Sequence, residues 1–246
     1  MSTSPSRPRI VILGSGFGAL RAAQKLRRAP ADLTIVSPRN HFLFTPLLIN
    51  SAVGSAESRN IIEPIRDACP HAAYYQAEAV SLDPEHAIVT CQSPLDGTEF
   101  DLPYDHLVIA VGGKNGTFGI PGVEEHTLFL KEVKHAELIR QRILGCLERA
   151  SLPTTSPEDR SRLLHWVVIG GGATGSEFVA ELHNFLTDVR PHYPEAVDGI
   201  RLTLLEATSE ILPSFDQSLR SYAERQLRAE HISIRKESPA KEIQHE

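Results

Sequence analysis

Two stretches of the chain carry the same pattern of apolar and polar positions. In "RIVILGSGFGALRAAQKL" (residues 9–26) and "HWVVIGGGATGSEFVAEL" (residues 165–182), an unbroken apolar run gives way to glycines, and apolar residues then recur every third or fourth position. An apolar run of strand length bounded by glycine reads as a parallel strand covered on both faces, and the spacing after it reads as a helix with one apolar stripe. The first stretch predicts a strand at 9–13 and a helix at 17–28, with Leu20, Ala23 and Leu26 on the buried face, then a second apolar strand at 33–36. The second predicts a strand at 166–169, a helix at 174–189, a loop holding Pro191 and Pro194, and a strand at 201–205. Each is a β–α–β unit.

Between them the texture changes. Residues 77–104 alternate polar and apolar positions and carry turn signals at Asp83-Pro84 and Asp96-Gly97, which predicts a small antiparallel meander. "LVIAVGG" (107–113) is another buried strand ending in glycines, and "ESRNIIEPIRDAC" (57–69) reads as a helix that Pro64 delays or kinks. Residues 138–150 and 216–229 read as helices, "HISIRKE" (231–237) as a further strand, and the Ser/Thr/Pro-rich 151–162 as a connector. The fold class is α/β, with two Rossmann-like units, one β-meander and an incomplete second unit. The expected layout is a disordered leader at 1–8, a first domain at 9–118 and a second at 119–246, the connector lying inside the second.

Composition narrows the chemistry. With 246 residues and 41% hydrophobic content, the chain can bury the core of one large domain or two small ones. The net charge is −6 and no long Lys/Arg block occurs, which argues against a nucleic-acid surface. "HFLFTPLLINSAV" (41–53) is the most apolar stretch, is interrupted by Pro46, and falls short of the roughly 18–20 residues of a membrane span. Three cysteines, Cys69, Cys91 and Cys146, form no CxxC pair and read as reduced thiols; the eleven histidines show no HExxH or comparable spacing, so no metal site is predicted.

The glycines carry the candidate chemistry. Gly14, Gly16 and Ala19 occupy the three positions of G-x-G-x-x-G/A, with Gly18 an extra small residue, and Gly170, Gly172 and Gly175 repeat the pattern. The first position permits the tight strand-to-helix turn, the second lets backbone approach a pyrophosphate, and the third lets the helix lie close to its strand. Unpaired N–H groups and the positive helix end then attract the phosphates. One such loop is weak evidence; two, each after an apolar strand and before a helix, predict two dinucleotide sites.

The residue closing the second strand of each unit separates the ligands. Glu206 ends "RLTLLE", where its carboxylate can accept from ribose hydroxyls and repel a 2′-phosphate. Two unit charges about 4 Å apart interact by roughly 4 kcal/mol near a protein surface, so NADH is expected to be favoured over NADPH. In the first unit Ser37 holds that place, followed by Pro38 and Arg39. The serine hydroxyl can bond a ribose, and Arg39 either meets adenine or phosphate or is a solvated loop charge. Glu177 is either a favourable acid at the helix start with no chemical role, or a site residue.

The blocks "VSPRNHFLFTPLLINSAVGSAESRNIIEPIR", "LVIAVGGKNGTFGIPGVEEHTLFLKEV", "VVIGGGATGSEFVAELHNF" and "LTLLEATSEILPSFD" together resemble the fungal and plant alternative (type II) NADH dehydrogenases, members of the superfamily of flavoproteins with two dinucleotide-binding domains. The resemblance implies a non-proton-pumping NADH:ubiquinone oxidoreductase of the mitochondrial inner membrane, with hydride passing from NADH to FAD and two electrons on to a ubiquinone-type quinone. It implies FAD on Gly14, Gly16, Gly18 and Ala19, with Ser37 and Arg39 at the adenosine end. Thr45 and Pro46 are implied beside the flavin ring, Ala79 and Val80 at the adenine, and Ala110 and Gly112 close to the flavin. Gly170, Gly172, Gly175 and Glu206 are implied to hold NADH, with Glu177 near the nicotinamide in a catalytic place. The missing dithiol fits electrons passing directly to quinone. Members of that family are about twice as long, attach peripherally to the membrane, and allow a homodimer. On this reading the chain is a shortened product that lacks a late FAD-holding segment and the membrane-attaching region. Two other readings remain at this point: a dinucleotide-binding remnant without catalysis, and a flavoprotein of the apoptosis-inducing-factor type.

Overall fold

Four apolar residues in succession need apolar cover on both faces, and the computed structural model, which describes residues 7–194, 196 and 199–244, supplies it. Strand β1 (Arg9–Leu13) pairs in parallel with β2 (Asp32–Val36) on one side and with the strand at His106–Ile109 on the other. Ile10 and Ile12 point into a cluster with Ala19, Ala23 and Ile35, whereas Val11 and Leu13 point the opposite way, into a cluster with Val36, Val89 and Cys91. The period of two along a strand turns the continuous apolar run into two buried faces.

The first of those faces is covered by helix α1 (Phe17–Leu26), whose Ala19 and Ala23 are buried against the sheet. The chain then passes through β3 (His41–Leu43), helix α2 (Leu48–Val53), β4 (Ile62–Pro64), helix α3 (Ile65–Ala68) and β5 (Ala73–Tyr75). The second face is covered by a meander, β6 (Glu78–Asp83), β7 (Ile88–Gln92) and β8 (Glu99–Pro103), paired antiparallel in sequence order. Strand β9 (His106–Ile109) completes a parallel sheet of order β5-β2-β1-β9 among the described residues.

One expectation for this region needs correction. Residues 57–69 are not one helix: a 3₁₀ turn at Ser58–Asn60 leads into β4, which pairs antiparallel with β3, and only Ile65–Ala68 is α-helical. Pro64 ends the strand and caps the short helix with φ −56° and ψ 134°, because a proline fixes φ and offers no N–H to a preceding helical turn. The apolar stretch around Pro46 also has its own role. Leu48, Ile49, Ser51, Ala52 and Val53 of α2 are all buried, and α2 packs on the helices at Val133–Ala150 and Ala173–Val189. The chain accordingly divides into one unit of residues up to Phe44 plus Arg59–Lys114, and another of Thr45–Ser58 plus the residues from Asn115 on.

In the second unit, helix α4 (Val123–His126) and helix α5 (Val133–Ala150) precede helix α6 (Pro157–Leu163), which lies inside the stretch expected to be a connector. Its Ser/Pro composition is a helix start rather than a loop. The Ser156 hydroxyl accepts the Asp159 N–H at 3.1 Å, and Pro157 occupies the first turn, where no backbone donor is needed. Then follow β10 (His165–Ile169), α7 (Ala173–Val189), β11 (Arg201–Leu205), α8 (Gln217–Ala229) and β12 (Ser233–Arg235), with the three strands parallel in that order. Leu202 and Leu204 of β11, Val179, Leu182 and Leu186 of α7, and Leu227 of α8 are buried. Each such side chain contributes about 1.5–3 kcal/mol by leaving water.

Residues 1–6 of the expected leader lie outside the described residues, while Arg7 and Pro8 are exposed. Among the described residues no helix is long and apolar enough to cross a membrane, and no group of three or more His, Cys, Asp or Glu side chains could hold a metal ion. The three cysteines are unpaired and buried, and burial pushes each thiol pKa up.

Candidate dinucleotide sites

The two glycine loops are anchored in the same way at their first glycine. Gly14 donates its N–H to Val36 O at 2.7 Å, and Gly170 donates its own to Leu205 O at 2.8 Å, so each loop is sewn to the end of the neighbouring strand. Both glycines have positive φ, +115° and +102°, which side chains rarely adopt. A Cβ on Gly14 would also lie 2.2 Å from Ala110 O, the carbonyl just past β9.

The third positions are small for packing. Ala19 is buried, and a Cβ on Gly175 would fall 2.0 Å from Gly170 O. The second positions differ from both. Gly16 has φ −84° and ψ −170°, and Gly172 has φ −69° and ψ −175°, extended values open to any residue. A Cβ on Gly172 would meet nothing within 4 Å, and one on Gly16 only the Arg39 guanidinium at 4.0 Å. The protein itself gives no reason for glycine there. Each starts a helix, α1 or α7, with no side-chain cap, and the first-turn N–H groups of a helix have no partner within it. Open space of that kind at a helix start could hold a pyrophosphate.

The middle residue of each loop is tied to the residue closing the second strand. In the first unit the buried Ser15 and Ser37 hydroxyls are 3.0 Å apart, Ser37 Oγ also accepts the Arg39 N–H at 3.2 Å, and Arg39 Nε donates to Ser15 Oγ at 3.3 Å and His41 O at 3.1 Å. The Ser37 hydroxyl, expected at a ribose, is thus engaged in holding the loop. Arg39 lies against the loop beside Gly16 and is no detached solvated charge.

In the second unit the tie is a carboxylate. Glu206 Oε2 accepts the Gly171 N–H at 2.7 Å, and Oε1 accepts the N–H of Thr208 at 2.7 Å and its hydroxyl at 2.8 Å. Burial pushes the Glu206 pKa up, but the hydrogen bonds from Thr208 and Gly171 outweigh it and hold the group below the usual glutamate value. The acid is therefore an anion at neutral pH. Gly171 is a glycine for this reason: a Cβ there would lie 3.0 Å from Glu206 Oε2 and 2.7 Å from the Ile211 side chain. Sequence reasoning missed Ser15, Gly171 and Thr208. The run of three glycines was a usable signal for Gly171, but nothing in the pattern distinguished Ser15 or Thr208.

The remaining predicted residues fall in several places. Val80 sits in a register shift between the Ala79–Cys91 and Ser81–Thr90 pairs, so its backbone stands outside the regular ladder. Ala110 N donates to Leu13 O, placing Ala110 beside the first loop, where its Cβ lies 3.7 Å from a Cβ built on Gly18. Gly112 follows with φ +72° and is exposed. Thr45 and Pro46 form the 3₁₀ turn that opens α2, in the second unit. Glu177 is exposed and lies beyond the first turn of α7, which contains no acid, so a helix-start role does not account for it. It borders a groove of about 350 Å³ with Ala173, Phe215 and Tyr222.

Fold and loops define a protein with two Rossmann-like, dinucleotide-type units. Comparison with known proteins takes this further. The family model described as pyridine nucleotide-disulphide oxidoreductase matches residues 8–246. The chain is 46% identical over 242 residues to a Dictyostelium discoideum protein named probable NADH dehydrogenase, covering 96% of this chain and 53% of that one. It is 41% identical over 253 residues to the mitochondrial external alternative NADH-ubiquinone oxidoreductase of Yarrowia lipolytica, covering 99% and 43%. Among solved structures it resembles NDH2 from Plasmodium falciparum in complex with NADH, with TM-score 0.93 and 31% identity over 97% of this chain and 49% of that one. The chain spans about half the length of the relatives it matches. It belongs to the pyridine nucleotide-disulphide oxidoreductase family.

Proposed function

We propose that the chain binds NADH on the Gly170–Gly172–Gly175 loop and FAD on the Gly14–Gly16–Ala19 loop, and serves an NADH:quinone oxidoreductase. The observation that carries this reading is Glu206, an anion tied by its own oxygen to the middle of the second loop. It can accept from an adenosine ribose hydroxyl and repels a 2′-phosphate, which selects NADH over NADPH. The first loop has no acid at the matching position but a serine pair and the Arg39 guanidinium, which suits the adenosine diphosphate half of a flavin cofactor.

The residues present fit both groups, since Gly16 and Gly172 leave open space at helix starts that no packing demand explains. Gly18, Ala19, Ser37 and Arg39 would line the FAD diphosphate and adenosine, Ala79 and Val80 the adenine, and Ala110 and Gly112 the flavin ring. Bound FAD would supply the two-electron acceptor between NADH and quinone. The overall reaction is NADH plus quinone plus one proton giving NAD⁺ and quinol. Glu177 is the residue we place near the nicotinamide. The relatives named ubiquinone oxidoreductases and mitochondrial support a ubiquinone-type acceptor and a mitochondrial location.

The test is anaerobic addition of NADH to the FAD-loaded protein, followed by a soluble ubiquinone. Loss of the flavin absorbance band and its return on quinone addition are expected. Persistence of the band with NADH in excess would sink the proposal.

A further inference from the structure

We infer that Thr208, outside the glycine fingerprint, is a positioning residue that fixes the orientation in which the Glu206 carboxylate meets the dinucleotide; this rests on the reading of the second loop as the NADH site. A carboxylate offers about four acceptor positions on its two oxygens. Oε1 is filled by the Thr208 N–H and hydroxyl, and Oε2 holds the Gly171 N–H. The carboxylate is thus held from both sides, by the strand-end turn on Oε1 and by the glycine loop on Oε2. The Thr208 hydroxyl also lies 3.0 Å from Glu210 O, but its shorter contact is to the carboxylate.

The turn around this pair is pinned from elsewhere. Glu206 N donates to Arg235 O, Ser238 N to Glu206 O, and Glu237 N to Thr208 O. Thr208 itself is exposed, so removing its hydroxyl leaves the backbone and packing in place. What changes is the carboxylate. Without the hydroxyl, Oε1 keeps only the Thr208 N–H, and the carboxylate is held less tightly about its last bond. The carboxylate is then less well preset for a ribose hydroxyl, and the ordering that the wild type has already completed falls on the binding step.

The experiment titrates the full chain with NADH by nucleotide fluorescence, comparing wild type, Thr208→Val and Thr208→Ser. The Val variant is expected to raise the NADH Kd about five- to tenfold and the Ser variant to restore it, within the net contribution of one typical hydrogen bond. In a Glu206→Gln background the Thr208→Val effect is expected to vanish, and the pH below which NADH affinity declines should rise in the single Val variant. A loop-packing role would produce neither. Wild-type protein that binds no NADH would overturn the site assignment itself. Wild-type binding with an unchanged Kd in Thr208→Val, or a loss that persists beside Gln at 206, would overturn the role of Thr208 alone. Thr208→Ala, with no β-branch, gives the same readout should the Val variant fold poorly.

Discussion

Gly172→Ala separates what the protein needs from what the ligand needs. The backbone at Gly172 is extended, and an added Cβ touches nothing within 4 Å, so the methyl causes no clash. Two small effects oppose each other. Alanine is a poorer helix N-cap than glycine, by about 0.5–1 kcal/mol, while its restricted unfolded chain returns about 0.4–1 kcal/mol. They cancel to within about 0.5 kcal/mol, and at roughly 2–4 °C per kcal/mol for a protein of this size the melting temperature should move by less than about 2 °C. Gly175→Ala is the contrast, because its Cβ would lie 2.0 Å from Gly170 O, which is backbone and cannot swing away. Overpacking of that kind costs about 1–3 kcal/mol, or roughly 2–12 °C. Thermal unfolding followed by circular dichroism, paired with NADH titration, reads both quantities. Gly172→Ala should melt like wild type yet bind NADH at least about tenfold more weakly, close to 1.4 kcal/mol. Unchanged affinity in that variant would refute the claim that the position is kept open for a pyrophosphate.

Other outcomes follow from the same structure. Glu206→Gln should erase most of the NADH-over-NADPH preference, measured as a ratio of Kd values; an unchanged ratio would move the selectivity elsewhere. Leu204→Ala, in the fully buried middle of β11, should cost about 2–5 kcal/mol in urea unfolding with an unchanged slope. His135 caps α5 by accepting the Lys131 and Glu132 N–H groups on Nδ1, at 3.3 and 3.2 Å, which only the neutral ring can do. Burial, aided by Lys134, holds its pKa below 6.5, so the folded state binds fewer protons than the unfolded one in that interval. The cap's contribution is therefore complete above pH 6.5 and is lost as pH falls toward the folded pKa. His135→Gln, which keeps a capping acceptor at every pH, should flatten the melting temperature across this range relative to wild type.

Local signals were sufficient where one residue's neighbours in sequence decide its conformation. The runs at 9–13 and 165–169, the meander turns at Asp83-Pro84 and Asp96-Gly97, and the glycine loops all belong to that kind, and the strands at Arg9–Leu13 and Arg201–Leu205 match the pattern residue for residue. Long-range choices were not legible. The pairing of β3 with β4 across residues 41 to 64 turned a helical-looking segment into a strand, and the burial of α2 among α5 and α7 assigned an apolar stretch to the second unit. Ser156-Pro157 was misread as a connector because loops and helix starts share those residues. At the candidate sites, the fingerprint glycines and Glu206 could be read from position. The ties from Ser15, Gly171 and Thr208 could not, since they depend on which strand end lies beside which loop.

The most direct measurement is a crystal structure of the chain grown with NADH and FAD together. The account predicts the NADH pyrophosphate over Gly172, with an adenosine ribose hydroxyl at hydrogen-bond distance from Glu206 Oε2, and the FAD diphosphate over Gly16 beside Arg39. FAD on the second loop, or NADH bound away from Glu206, would contradict it.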